Sequence, residues 1–300
     1  MTNPALSADL STDPRARRGS RSRARGLVAA ARAEPVAAGA TVVLLGIIFV
    51  CVAAPLVAPY SPTALDPVHA FAAPSWRHLF GTDELGRDLL SRVLYGGRTS
   101  LEIATGATLL ALLLGSLWGA LAASSGGWSN EVLMRFADVG MAIPVFLSAL
   151  VLVAAIHTTT LSLIVILGLL QVPWTARMVG TGVAAELRRD YCVAARSFGS
   201  TKARLLAVEI LPNIAPTLEV QATLLLAYSL LLEVGLSFVG VGVQPPGSSW
   251  GTLLQGGYQN FLASSTYSVF PGAAICLTVL MLNVLADERQ TRFHIRLLQR

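Results

Sequence analysis

Asp190-Tyr-Cys-Val-Ala-Ala-Arg-Ser-Phe-Gly-Ser-Thr-Lys-Ala-Arg-Leu-Leu-Ala-Val-Glu-Ile-Leu-Pro-Asn213 is a polar island in an apolar chain. An Ala-rich segment through Val193, Ala194, Ala195, Arg196 and Phe198 predicts a short helix. Gly199 is suited to the left-handed turn that stops it. A second, basic helix is expected to run from there to Leu211-Pro212, and Pro212 suits the first turn of the next helix. Such a pair makes a helix-turn-helix knob with a small-residue surface that a soluble partner can approach closely. An ordinary basic loop between helices is the plainer reading of the same residues.

The chain around this island is built for a bilayer. Of 300 residues 54% are hydrophobic and 13% charged, and the mean hydropathy is +0.63. A soluble domain of this length is far more polar. The charge is +5, and every basic residue except Lys202 is Arg. In a membrane protein such positive charge anchors cytoplasmic segments rather than binding nucleic acid. Cys51, Cys192 and Cys276 lie too far apart for a metal or disulfide pattern, and no metal site is expected.

Six spans are expected, in an all-α polytopic fold: 36–58, 103–123, 139–156 with a kink at Pro144, 161–178, 214–236 and 269–285. Each approaches the roughly 20 apolar residues that cross a bilayer. Glu219 and Glu233, inside the fifth, are about 21 Å apart along a helix, so each can lie near one membrane face. Residues 1–34, with seven Arg, read as a disordered basic tail. The apolar run after it is too long for a signal peptide. The membrane-spanning body covers 35–287, with an external amphipathic segment 76–101, a cytoplasmic loop 186–213, an external loop 237–266 and a cytoplasmic tail 288–300. Lys and Arg gather on the side of the knob and both termini, which predicts that all three are cytoplasmic. Arg77, Arg87, Arg92 and Arg98 oppose this on the other side, among Asp66, Asp83, Glu84 and Asp88.

Three motifs share one resemblance. Ala194-Ala195, Gly199 and Leu211-Pro212 are spaced as in the EAA coupling loop of permease subunits of binding-protein-dependent ABC importers, with Val193 where Glu is common and Glu209 where an apolar residue or His is usual. Phe80-Gly81-Thr82-Asp83-Glu84-Leu85-Gly86-Arg87-Asp88, followed by Arg98-Thr99-Ser100-Leu101, resembles the segment before span two in the second permease subunit of dipeptide, oligopeptide and nickel importers. By residue type alone, Thr82 or Asp83 can cap a helix from Glu84 whose face carries Leu85, Leu89, Arg92 and Tyr95. Glu233-Val234-Gly235-Leu236-Ser237-Phe238-Val239-Gly240-Val241-Gly242-Val243-Gln244-Pro245-Pro246 resembles the same family's exit from span five, with glycines for sharp reversals and prolines for stiffness. After Asn283 the family's usual pattern is lost, and only Asp287 remains of it.

The resemblance implies a type I importer permease of the prokaryotic cell membrane, with both termini cytoplasmic. It implies a homologous second permease as heterodimer partner, two ATP-binding subunits or one fused ATPase, and an extracytoplasmic substrate-binding protein. ATP and Mg belong to those subunits and no cofactor is expected on this chain, which has no Gly-x-x-x-x-Gly-Lys-Ser/Thr loop. Di- or oligopeptides are the implied cargo, with nickel or haem-type substrates as the alternative. An ATP-independent secondary transporter is the competing class, disfavoured because such proteins often hold an ion-coupling carboxylate at mid-bilayer. An intramembrane serine hydrolase using Ser237 and His157 lacks an acid and an oxyanion site.

Overall fold

The computed structural model describes residues 35–298 except His157, with side chains described up to Thr291. The basic tail 1–34 and the reading of His157 lie outside it. The described residues are helical apart from loops and a single isolated bridge between Thr82 and Asp88. Helix α1 is Pro35–Val52, followed by one turn at Ala54–Val57. Then come α2 (Leu89–Ser125), α3 (Gly127–Ala142), α4 (Val145–Ala155), α5 (Thr160–Glu186) and α6 (Asp190–Ser197). Lys202–Val239 runs as one long element, α7, followed by α8 (Trp250–Gln259) and α9 (Thr266–Leu298).

Five of these helices are long and apolar enough to cross a membrane, and the pair α3 and α4 makes the sixth, bent by 79°. The break falls at Ile143-Pro144, where proline lacks the donor a continuous helix needs. Long apolar side chains such as Val42, Leu113 and Val151 point outward and are about 70% exposed, as befits helices facing lipid or another subunit.

Three boundaries differ from the sequence reading. The helix expected from Glu84 starts at Leu89, capped by the Asp88 carboxylate, which accepts from Ser91 N at 2.8 Å. Gly81 and Gly86 both have positive φ and take residues 81–88 off any helical path. Leu85 is therefore on a turn, not on a helix face with Leu89, and α2 is continuous with span two rather than a separate surface helix. Secondly, the knob's second helix does not stop at Leu211-Pro212. It passes through a π-helical stretch, Leu205–Ile210, in which Leu211 N donates to Leu206 O five residues back. A proline ring at 212 clashes with the carbonyl four residues earlier in a regular helix, and a widened turn relieves that clash. Thirdly, α9 continues past residue 287 to Leu298, because Asp287-Glu288-Arg289-Gln290 contains no helix breaker.

The most extensive interhelical contact is between α2 and α5. Small residues recur along α2 at helical spacing: Ala104, Ala107, Ala111, Gly115 and Gly119 are all buried. Gly168 of α5 packs on Ala107, Gly115 meets Val172 and Thr175, and Gly119 meets Ala176, Val179 and Gly180, all of them buried. A Cβ on Gly119 would lie 2.4 Å from Ala176 O and 2.8 Å from Gly180 N. Lipid tails are as apolar as leucine, so close backbone packing of this kind, rather than water exclusion, holds membrane helices together. Gly119→Val therefore forces the two backbones apart, at about 1–3 kcal/mol for overpacking. The expected result is a lower thermal midpoint in detergent, whereas Leu113→Val on the exposed face of α2 leaves it unchanged.

Candidate functional site

At one end of the bundle, α6 hangs between the end of α5 and the start of α7. Cys192 is fully buried against Val179, Val183, Leu205, Ile210 and Ile214, and Ala195 and Tyr191 pack on the same cluster. Residues 191, 192 and 195 thus face the body. Val193 and Ala194 face away, with Arg196, and Phe198 is 90% exposed. The two alanines expected to form one contact surface are divided: Ala194 is outward and Ala195 half-buried. Gly199 has φ +81 with open space around it. Its N–H donates to Arg196 O at 2.9 Å and that of Ser200 to Ala195 O at 3.1 Å, the pair of bonds that closes a helix in a Schellman turn. Thr201 caps the next helix through Arg204 N at 3.3 Å. Lys202 Nζ reaches Ser124 O at the end of α2, 3.3 Å away. Glu209 and Pro212 are exposed and Leu211 is half-buried on the body.

A polar chain that the sequence reading missed crosses this end. Asn213 Nδ2 donates to Tyr191 Oη at 3.1 Å, and Tyr191 Oη donates to Glu186 Oε2 at 2.6 Å. Arg189 Nε holds the other Glu186 oxygen at 3.0 Å. Burial, and then the bond to Glu186, push the Tyr191 phenol well above its ordinary range, so it keeps its proton and stays a donor even in alkaline solution. Tyr191 and Asn213 lie near the two ends of the quoted stretch, but their contact spans 22 residues and no local periodicity reports it.

At the opposite end of α2, Asp83 is fully buried and organises the loop before it. Its Oδ1 accepts from Leu85 N and Arg87 N at 2.9 Å, and its Oδ2 from Arg87 Nε at 2.6 Å and from Arg92 Nη1. Arg87 also pairs with Glu84 at 2.8 Å. Thr82 accepts from Ala72 N at 2.8 Å, and Asp88 takes His78 Nδ1 at 2.9 Å as well as Ser91. Gly81 and Gly86 make the reversals between these side chains, with Gly86 lying directly on the Asp66 backbone. The four arginines that strained the charge count thus include two that are locally paired, Arg87 and Arg92.

The exit from α7 lies beside this loop end. Glu233 is fully buried, and Ser237 Oγ donates to its Oε1 at 2.7 Å while accepting from Val243 N at 3.2 Å. Glu233 Oε2 has no hydrogen-bond partner, although the hydroxyls of Ser100 and Ser249 face the carboxyl. Gly240 ends α7 with φ +96, Gly242 packs on Ser237, and the Pro245-Pro246 bond is cis. The expected external loop 237–266 is not loose. It folds back as α8, whose Trp250 and Leu253 are 1% exposed. Trp250 N donates to Ser100 Oγ at 3.1 Å, and its ring Nε1 donates to Val93 O at 2.9 Å. A tryptophan after a Ser249 cap could be read from the sequence as a helix start, but its burial against α2 could not.

The described residues thus make a six-span bundle, counting α3 and α4 as one bent span, with a projecting knob and a folded-back exit helix. The family described as the inner membrane component of binding-protein-dependent transport systems matches residues 111–298. The chain belongs to that family. It is 37% identical over 254 residues to a Brucella suis biovar 1 (strain 1330) protein provisionally named as a peptide permease, with 84% of each chain covered. It is also 37% identical to the di/tripeptide transport system permease protein of Pseudomonas aeruginosa (strain UCBPP-PA14), covering 84% of this chain and 85% of that one. Among solved structures, an inward-facing form of the MetNI methionine ABC transporter aligns with TM-score 0.57 over 67% of this chain and 95% of its own, at 17% identity. The fold is thus that of a type I ABC importer permease, and the chain is a membrane-spanning permease component. Membership implies ATPase, substrate-binding and second permease partners in general.

The buried ion cluster yields a direct test. Asp83→Ala leaves Arg92 buried without its carboxylate, a loss of about 3–5 kcal/mol for a broken buried pair. Proteolysis of the segment before α2 should accelerate sharply, while Glu84→Ala, at the exposed edge of the cluster, should change it little.

Proposed function

We propose that this chain forms half of the translocation pathway of an ABC importer for di- or oligopeptides. A homologous permease is its heterodimer partner, and an extracytoplasmic binding protein delivers the substrate. Two ATPase domains, separate or fused, carry ATP and Mg and grip the knob at α6. The observation that carries the reading is the outward face of α6: a short helix closed by a left-handed glycine presents Val193, Ala194 and Phe198 away from the bundle. Apolar side chains so exposed at a polar end call for a partner. Peptide cargo is supported by the name of the Pseudomonas aeruginosa relative, and nickel or haem-type cargo is the alternative.

Orientation follows from the basic residues, which cluster with the knob and both ends, so all three are assigned to the cytoplasm. In this scheme closure of the ATPases on ATP displaces the knob and favours an outward-open bundle, and hydrolysis releases it. The nucleotide acts only through its different affinity for the two arrangements. The buried loop around Asp83 and the exit around Glu233 shape the opposite, external end, where the binding protein docks.

Ala194→Glu places a charge on the outward face without touching the inner packing that Ala195 makes. It should abolish co-purification of the ATPases and uptake of labelled dipeptide, while the two permeases still assemble through their spans. Retained ATPase binding would falsify the knob as the contact. At Gly199, Val should abolish uptake with normal insertion, because a β-branched residue resists φ +81. Asn, which tolerates that conformation, should keep most of it. For orientation, single cysteines at Trp76 and Ser197, both exposed, are treated with an impermeant maleimide on intact cells. Position 76 should react and 197 should not; the reverse pattern inverts the topology.

A further inference from the structure

The knob helix is only eight residues long and is not itself a span, so whatever moves it must be passed to the membrane helices through its few contacts. Those contacts are of two kinds. Cys192 and Ala195 sit in an apolar cluster, which is non-directional and lets α6 slide or rotate with little change in burial. The second kind is the chain from Asn213 through Tyr191 to Glu186, which is directional. The phenol oxygen gives its proton to Glu186 at the end of α5 and accepts from Asn213 near the start of the apolar part of α7. Both bonds must keep their lengths and angles, and each strengthens the other because one group is donor and acceptor at once. Arg189, in the short link between α5 and α6, fixes the Glu186 carboxylate from its other oxygen.

We propose that Tyr191 is a positioning residue for coupling: its hydroxyl locks α6 to the fourth and fifth spans at once, so that the knob and the ends of α5 and α7 move as one body. The proposal rests on the reading of α6 as the ATPase contact. It gives a reason for a tyrosine rather than a phenylalanine on the inner face of the knob. It also gives one for an asparagine directly after Pro212, where the π-helical stretch has already loosened α7 and a side-chain tie restores its link to α6.

The test uses the complete importer in nanodiscs, with both permeases and the ATPases. Spin labels at Ser197 and Thr217 report the distance from knob to span five, and labels at Thr217 and Leu121 report movement of span five against span two. In the wild type, trapping with ATP and vanadate should change the second distance and leave the first unchanged. Tyr191→Phe keeps the ring and its packing and removes both bonds. The ATPases should still co-purify, but the first distance should now shift and broaden on trapping while the change in the second shrinks. The maximal rate of coupled ATP hydrolysis should fall at least about fivefold, since two hydrogen bonds of modest net worth are lost together. Asn213→Ala should act in the same direction, and the double variant should be no worse than either single one. The proposal is overturned by a knob-to-span distance that changes in the wild type, by an unchanged distance in Tyr191→Phe, by additive losses, or by loss of the ATPases from Tyr191→Phe. Failure of the underlying reading shows separately, as ATPases that remain bound to Ala194→Glu.

Discussion

Everything in this chain hangs on the close approach of α2 and α5. Gly115 and Gly119 on one helix, with Ala176 and Gly180 on the other, bring two backbones together where any larger side chain would collide. In hydrocarbon this seam is a source of specific adhesion, because packing density distinguishes a neighbouring helix from lipid. It also fixes the ends. The buried Asp83 loop precedes the first residue of α2, and the knob follows the last residue of α5. Polar side chains complete the seam further in: Gln171 and Ser229 bond to each other at 3.0 Å, and Thr108 lies 3.3 Å from Ser229, joining α2, α5 and α7 at one level.

The sequence was most legible where one residue type has one physical use. Pro144 in an apolar run meant a kink, and the helices on its two sides diverge by 79°. Gly199 between two helical patterns meant a left-handed turn, and its φ is +81. It was least legible where the outcome depends on a contact far along the chain. Asp83 resembles a helix cap by type, but its carboxylate is taken by Arg92 and by the backbone of its own turn, and Asp88 caps instead. Pro212 resembles a helix boundary, yet a π-helical stretch accommodates it and the helix runs on. The burial of Trp250 between α2 and α7, and the Tyr191 bridge, are tertiary facts with no local period to announce them.

The two glutamates of the fifth span show how the same side chain serves opposite ends. Glu219 is exposed, 3.8 Å from Arg289 of α9, a weak pair in a polar setting. Glu233 is fully buried among the hydroxyls of Ser100, Ser237 and Ser249, and a buried carboxyl is far more costly to maintain than an exposed one. That cost is offset by position: Ser237, Val243 and the start of α8 are all fastened within one turn of it, so the exit segment is held against α2 through Ser100 and Trp250.

These ties anchor α7 at both ends of the bundle. At the knob end Asn213 joins it to α6 and α5, and at the loop end Ser237 and Trp250 join it to α8 and α2. Between them lies Pro216, and the π-helical stretch Leu205–Ile210 stands just before the first tie; both are places where a long helix bends readily. A helix held at two ends and softened near one does not move as a rigid rod. A displacement passed from α6 through Asn213 enters α7 beyond the π-helical stretch and tilts the rest of the helix, and the stiffness at Pro216 sets how much of it reaches Glu233 and the exit.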